Sequence, residues 1–112
     1  MPYFDGFVIP VPVANKDKYM QAAKGWSDVC KAYGAIRLIE FWGDDVPEGK
    51  LTSFPMAVKL EPGETVVMSY LEWPDKATRD AANKKMMEDP AMASMEMPFD
   101  GRRMIFAGFE PL

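Results

Sequence analysis

Histidine is absent from this 112-residue chain, and cysteine occurs once, as Cys30. The absence of histidine removes the commonest general base near neutral pH and the usual proximal ligand of haem. A single thiol cannot form an internal disulfide, and without histidine it cannot complete a structural zinc site. The composition therefore predicts no metal and no cofactor. Any acid–base chemistry would have to use Asp, Glu, Tyr, Lys or the one Cys.

Long basic runs and long apolar runs are also missing. Positive charges come together only as the pairs Lys84-Lys85 and Arg102-Arg103, and the net charge is −4. Such a chain is poorly suited to a phosphate backbone, so nucleic acid is not expected as a partner. No apolar stretch approaches the roughly 20 residues that cross a bilayer, and residues 1–5 lack the pattern of a signal peptide. We therefore expect a cytoplasmic protein that does not bind membranes.

The chain is 48% hydrophobic, and its predicted strands are apolar on both faces. Three stretches show this pattern: 3–9, 65–73 and 103–109. In the first of them, Phe7 and Ile9 point to one side while Phe4 and Val8 point to the other. A strand with one wet face would alternate between apolar and polar residues. Both faces of this sheet are therefore expected to be covered.

The order of predicted elements indicates the fold class. They are a strand at 3–11, a helix from Asn15 or Asp17 to Tyr33, strands at 36–42, 54–60 and 65–73, a helix from Asp75 to about Met87, a short helix after Pro90, and a strand at 102–109. This is a single domain, 1–112, with an α+β fold: the ferredoxin-like β-α-β-β-α-β plan with an extended central hairpin. Two helices can cover one face of its sheet. We expect a second copy to cover the other, giving a homodimeric α+β barrel.

Several stretches of the sequence also resemble those of a known family. They are YFDGFV at 3–8 with Pro10 and Pro12, GDDVP at 43–47, GKLTSFP at 49–55, ETVV at 64–67 and MPFDGRRMI at 97–105. Together they are similar to the YbaA-like family of small bacterial proteins of unknown function (domain of unknown function 1428). The resemblance covers essentially the whole chain. It implies a dimeric ferredoxin-like barrel and no particular reaction.

Acidic residues interrupt the apolar pattern of the strands, and two of them, Asp5 and Glu40, are the candidate catalytic residues. A carboxylate among apolar groups can have a raised pKa and act as a base or an acid. Asp5 is next to Gly6, and a glycine inside a strand often marks the close approach of a ligand or of another backbone. The alternative is a structural acid that pairs with Arg37, with Arg103 or with backbone amides.

We expect a homodimer that binds a small, partly apolar molecule inside the barrel or between the sheet and the helices. Arg37, Trp42, Tyr70 and Arg103 are the candidate ligand-binding residues. One alternative is a cofactor-independent enzyme of the monooxygenase or isomerase type that uses a carboxylate base. Another is a protein-interaction module that uses the loop at 43–55. The sequence leaves open whether the protein is an enzyme.

Two further features favour a structural interpretation. Asp44, Asp45 and Glu48 could offer oxygen ligands to a hard cation, but they lack the alternating acids of a calcium loop, so a solvated loop is favoured. Cys30 falls on the apolar side of the first predicted helix, among Trp26 and other core residues. A buried thiol in such surroundings is a small hydrophobic group rather than a nucleophile.

Overall fold

The computed structural model describes residues 1–112, and its four strands form one antiparallel sheet in the order β2-β3-β1-β4. The strands are β1 (Tyr3–Pro12), β2 (Arg37–Trp42), β3 (Glu64–Trp73) and β4 (Ile105–Phe109). The helices are α1 (Lys16–Ala32), α2 (Phe54–Ala57), α3 (Lys76–Glu88) and α4 (Pro90–Ala93), with a 3-10 turn at Val13–Asn15. The predicted α+β, ferredoxin-like fold is confirmed.

Local sequence signals account for the start of α3 and the end of α1. The Asp75 carboxylate accepts a hydrogen bond from the Thr78 N–H at 2.7 Å, which caps α3 as predicted. Asn15 precedes α1, but its side-chain amide donates to the carbonyl oxygen of Pro98 at 3.1 Å instead of capping the helix. This bond ties the start of α1 to the segment before β4. Gly34, with φ of 109°, takes the left-handed conformation that ends α1.

Helices α1 and α3 pack on one face of the sheet and enclose the core there. One buried cluster consists of Tyr3, Cys30, Ala35, Leu71, Trp73, Ala82 and Met86. A second consists of Ile9, Val11, Tyr19 and Val67. The residues of β1 and β3 in these clusters are separated by even numbers of positions along each strand, so they all face the helices.

The opposite face, which we call the open face, is covered by neither long helix although it is apolar. Large side chains there are substantially exposed: Phe41 at 43%, Met68 at 43%, Ile105 at 44% and Phe109 at 56%. Gly6 also lies on this face, and a Cβ atom at Gly6 would come within 2.9 Å of the Phe109 ring. The glycine in β1 therefore makes room for an aromatic ring of the neighbouring strand rather than for the backbone of another element.

The predicted strand at 54–60 is wrong, because this segment begins with the helical turn α2. Ser53 caps that turn by accepting a hydrogen bond from the Met56 N–H at 3.1 Å, and Pro55 lies in its first turn, where its missing N–H is tolerated. The central hairpin is formed instead by β2 and β3, with Arg37 opposite Glu72. Residues 43–63 connect the two strands without a further strand.

The last strand begins at Ile105 rather than at Arg102 as predicted. Residues 100–103 form a turn in which the Arg103 N–H donates to the Asp100 carbonyl oxygen at 3.2 Å. The Asp100 carboxylate also accepts a hydrogen bond from Arg103 Nε at 3.1 Å, which stabilises the same turn. None of the helices combines the length and the apolar character that crossing a membrane requires.

Candidate functional site

A cavity of about 290 Å³ lies between α1, α3 and the helix-covered face of the sheet. Of its 16 lining residues, 11 are hydrophobic. The apolar wall is made by Phe7, Ile9, Leu71 and Phe106 of the sheet, Tyr19, Ala22, Ala23 and Trp26 of α1, and Met97, Phe99 and Met104 of the segment before β4. The polar lining is made by Asp5, Glu40, Ser69, Arg79 and Asn83. Apolar walls with a few convergent polar groups are typical of small-molecule sites.

Asp5 is only 7% exposed, and both of its carboxylate oxygens are occupied. The indole N–H of Trp73 donates to Oδ2 at 2.9 Å. Arg79 donates to Oδ1 from Nε at 3.0 Å and from Nη2 at 2.7 Å. The expectation of a buried Asp5 paired with an arginine is confirmed. The expected partners, Arg37 and Arg103, were wrong, because Arg79 of α3, which packs on the same face of the sheet, binds this carboxylate instead.

Arg79 is held in a closely fitted position. Its guanidinium group lies 5.2 Å from the centre of the Tyr3 ring, and its Nη1 atom donates to Asp80 at 2.9 Å. A Cβ atom at Gly108 would collide with the Tyr3 hydroxyl and come within 2.9 Å of Arg79 Nη2. The hydrogen bonds to Asp5 raise the pKa of Arg79 further above its already high value. The positive charge of Arg79 therefore balances the negative charge of Asp5, as expected for a structural ion pair.

Glu40 lies in the same cavity and has different partners. The Tyr19 hydroxyl donates to its Oε2 atom at 2.8 Å, and Ser69 is its cross-strand neighbour on β3. Its carboxylate forms no salt bridge with Lys or Arg. Burial raises the pKa of Glu40, and hydrogen bonds from the Tyr19 and Ser69 hydroxyls oppose part of this rise. Glu40 is therefore the one carboxylate of the cavity without a positive partner.

Tyr19 remains a protonated hydrogen-bond donor to Glu40. Burial raises the pKa of Tyr19 well above its usual value, and the neighbouring Glu40 carboxylate raises it further. The Tyr19 ring also packs 5.9 Å from the ring of Phe99, centre to centre. Tyr19 therefore holds the Glu40 side chain at the cavity wall and joins it to the segment before β4.

Arg37 and Arg103, two of the candidate ligand-binding residues, are not among the residues that line this cavity. The Arg37 side chain is 56% exposed and forms an ion pair with Glu72 at 2.8 Å. Arg103 binds Glu64 through two 2.7 Å hydrogen bonds, and its side chain is 14% exposed. These contacts lower the pKa of Glu64. Both arginines therefore neutralise acids of this chain at positions outside the cavity.

Trp42 and Tyr70, the other two candidate ligand-binding residues, also lie outside the cavity. Trp42 faces the helices, but it packs against the second core cluster with the Lys16 ammonium group 5.2 Å from its ring. Tyr70 is on the open face, where its ring meets those of Phe4 and Phe41 at 5.7 and 6.0 Å. The structure thus brings Asp5 and Glu40 together in one cavity, whereas the four candidate ligand-binding residues all lie outside that cavity.

The loop at 43–55, with its three acids, and Cys30 also lie outside the cavity. No group of three or more His, Cys, Asp or Glu side chains converges as a metal site would require. The loop at 43–55 does expose apolar side chains, with Leu51 at 96% and Phe54 at 51%. Cys30 is fully buried, and burial together with the charge of Asp5 raises the pKa of its thiol to about 12. That thiol is therefore unreactive at neutral pH.

Three polar residues of the cavity were not among the sequence-based candidates: Ser69, Arg79 and Asn83. A usable signal was present on α3. Arg79 and Asn83 are four residues apart, so they share the side of the helix that also carries the core residues Ala82 and Met86. A polar pair on the buried side of an amphipathic helix indicates a polar partner in the sheet. Ser69 carries no comparable signal.

Fold and site together define an α+β protein of ferredoxin-like topology with a largely apolar cavity between helices and sheet. A crystal structure of a dimeric ferredoxin-like protein from an uncultured marine organism matches it with a TM-score of 0.51 at 13% identity, covering 97% of this chain and 92% of that one. A de novo designed protein, Foldit4, matches with a TM-score of 0.52 at 10% identity over the whole of both chains. At these identities the likeness shows the fold alone.

Sequence comparison gives the family. The family model described as protein of unknown function (DUF1428) matches residues 2–101. The uncharacterized protein YbaA of Escherichia coli strain K12 is 52% identical over 114 residues, covering 100% of this chain and 97% of YbaA, and YbaA of Shigella flexneri matches equally well. The chain therefore belongs to the DUF1428 family, and the resemblance noted in the sequence is confirmed.

Proposed function

We propose that this protein is a cytoplasmic homodimer that binds a small, partly apolar molecule in the cavity between α1, α3 and the sheet. The observation that carries the proposal is the lining: 11 hydrophobic residues surround five polar ones in about 290 Å³. Of the polar residues, Asp5 and Arg79 satisfy one another. Glu40, Ser69 and Asn83 remain to orient a bound molecule.

The size of the cavity suits a small ligand. About 290 Å³ corresponds to roughly ten water molecules at ~30 Å³ each. It lies at the lower end of the volumes typical of ligand pockets, about 300–1,000 Å³. A molecule of one ring and a short polar chain would fit inside it.

The test is a titration with 2-phenylethanol, followed by amide chemical shifts of the ¹⁵N-labelled protein. We expect saturable shifts in α1, α3 and the centre of the sheet. Ala22→Phe would place a ring in the cavity and should abolish them. Ala32→Phe makes the same substitution at an exposed position of the same helix and should leave binding intact. Unsaturable shifts, or equal binding by both variants, would refute the proposal.

The open face supports the dimeric part of the proposal. Its four strands span a projected area of roughly 500 Å² by their lengths and ~4.8 Å spacing, and apolar patches of several hundred Å² on a protein surface are often functional. Self-association through this face would bury Phe41, Met68, Ile105 and Phe109 together. The marine ferredoxin-like protein of the same fold is described as dimeric. A second copy of this chain is therefore the proposed occupant.

Sedimentation velocity at micromolar concentration tests the dimer. We expect one species of twice the chain mass. Ile105→Glu places a charge on the open face and should shift the protein towards the monomer. Phe106→Glu is the matched control, because Phe106 is the next residue of β4 and faces the helices and the cavity. A folded monomer in the unsubstituted protein would overturn this part of the proposal.

A second candidate function is a cofactor-independent enzyme, and Glu40 is the observation that favours it. Its carboxylate lies in an apolar cavity, next to a tyrosine hydroxyl and with a raised pKa, which suits a general base. In an isomerase, Glu40 would take a proton from one carbon of the substrate and return it to another. In a monooxygenase, the deprotonated carbon would instead react with dioxygen, so that one oxygen atom enters the substrate and the other leaves as water, with the electrons and protons supplied by the substrate. The test is the exchange of a ketone α-proton with solvent deuterium. Exchange that the unsubstituted protein catalyses and that Glu40→Gln loses would support this function.

A further inference from the structure

The charges of the cavity do not cancel. Of its five polar side chains, Asp5 and Arg79 form an ion pair at 2.7 Å, while Ser69 and Asn83 are neutral. Glu40 is left with hydrogen-bond partners but no cation. When Glu40 is ionised, the apolar cavity therefore carries one uncompensated negative charge.

No basic side chain of this chain supplies the missing charge. Arg79 already donates to Asp5 and Asp80 through three of its nitrogens. Lys16 lies at the start of α1, but its ammonium group is over the Trp42 ring at 5.2 Å. An unpaired carboxylate next to apolar groups is costly in free energy. A bound molecule that brings a positive charge to Glu40 therefore stabilises the folded protein.

We propose that the cavity selects molecules that join a small apolar body to a protonated amine, with Glu40 as the ammonium acceptor. This inference rests on the proposed ligand-binding function. Tyr19 donates to Oε2 of Glu40, and because a carboxylate has about four acceptor sites, Glu40 can still accept a charge-assisted hydrogen bond from a ligand. The rings of Tyr19, Trp26 and Phe99 line the same cavity, and aromatic faces attract ammonium groups. A ligand carboxylate would instead be repelled by Glu40.

Three probes with the same ring test the selection: 2-phenylethylamine, 2-phenylethanol and 3-phenylpropionate. Their dissociation constants are measured by amide chemical shifts at neutral pH. The amine should bind at least about tenfold more tightly than the alcohol, as expected for a hydrogen bond to a charged group. The acid should bind most weakly. In Glu40→Gln the amine and the alcohol should bind equally.

Glu72→Gln is the matched control. It removes the same charge from the neighbouring strand, but Glu72 pairs with Arg37 outside the cavity, so the amine preference should persist. Tyr19→Phe retains the carboxylate and should also keep the preference, which tests the inference independently if Glu40→Gln fails to fold.

Equal affinity for amine and alcohol, or a preference that survives in Glu40→Gln, would overturn this inference while leaving the proposed function intact. Failure of all three probes to bind would overturn the proposed function as well.

Discussion

Replacing Asp5 by Asn tests whether the buried acid of β1 is structural. Asp5 accepts three hydrogen bonds, one from Trp73 and two from Arg79. Asparagine has one acceptor oxygen, so its amide group would have to face a donor of one of these partners. It would also leave the guanidinium group of Arg79 without its buried counterion. The Arg79 side chain is 18% exposed.

The expected cost of Asp5→Asn is about 2–4 kcal/mol. Losing one partner of a buried ion pair costs about 3–5 kcal/mol, and a hydrogen bond to a charged group contributes about 1.5–3 kcal/mol. We expect a cost below the upper end of the range for a broken ion pair, because Arg79 is partly exposed and keeps its bond to Asp80.

Urea unfolding at neutral pH and one fixed protein concentration measures this cost, with tryptophan fluorescence as the signal. Asp80→Asn is the control, since it removes an exposed acid that also binds Arg79, and it should change the midpoint little. If Asp5→Asn shifted the midpoint no more than Asp80→Asn, the structural role of Asp5 would be refuted and Asp5 would again be a catalytic candidate.

Three further predictions concern neighbouring features. Gly108→Ala should destabilise the protein in the same urea assay, because its Cβ atom would displace Tyr3 and Arg79; an unchanged midpoint would show that these side chains can move without cost. The pKa of Glu40 is raised above 4.5 in the folded state, so unfolded chains ionise first, and the stability of the unsubstituted protein relative to Glu40→Gln should fall as pH rises from about 4.5 through the folded pKa. Urea midpoints of both proteins across that range measure this fall, and a rise would contradict the direction of the shift. Cys30 should resist a thiol reagent in the native state and react at once in urea, because its thiol is fully buried with a pKa of about 12.

The topology could be predicted from the sequence because its signals are local. Apolar residues on both faces of β1 and β3, the cap at Asp75 and the glycine after α1 each depend on a few neighbouring residues. The strand expected at 54–60 was wrong for a related reason. Ser53 and Pro55 form a helical turn there, and an apolar run of that length does not distinguish a strand from a short helix.

The site was predicted only in part, because its contacts are distant in the sequence. Asp5 and Glu40 were identified as acids within apolar strands, and both line the cavity. The ion pair of Asp5 with Arg79 joins residues 74 positions apart. The place of Arg79 on the buried side of α3 indicates a polar partner in the sheet, but it does not indicate which acid that partner is. Arg37 and Arg103 were the expected partners, but in the structure they bind other acids, Glu72 and Glu64.

Nuclear Overhauser effects from bound 2-phenylethanol show whether the cavity between the helices and the sheet is a binding site. We expect contacts from the ligand ring to Trp26 and to the methyl groups of Met97 and Met104, which line the cavity. Contacts to Phe41 and Met68 instead would place the molecule on the open face and would show that the cavity is not the binding site.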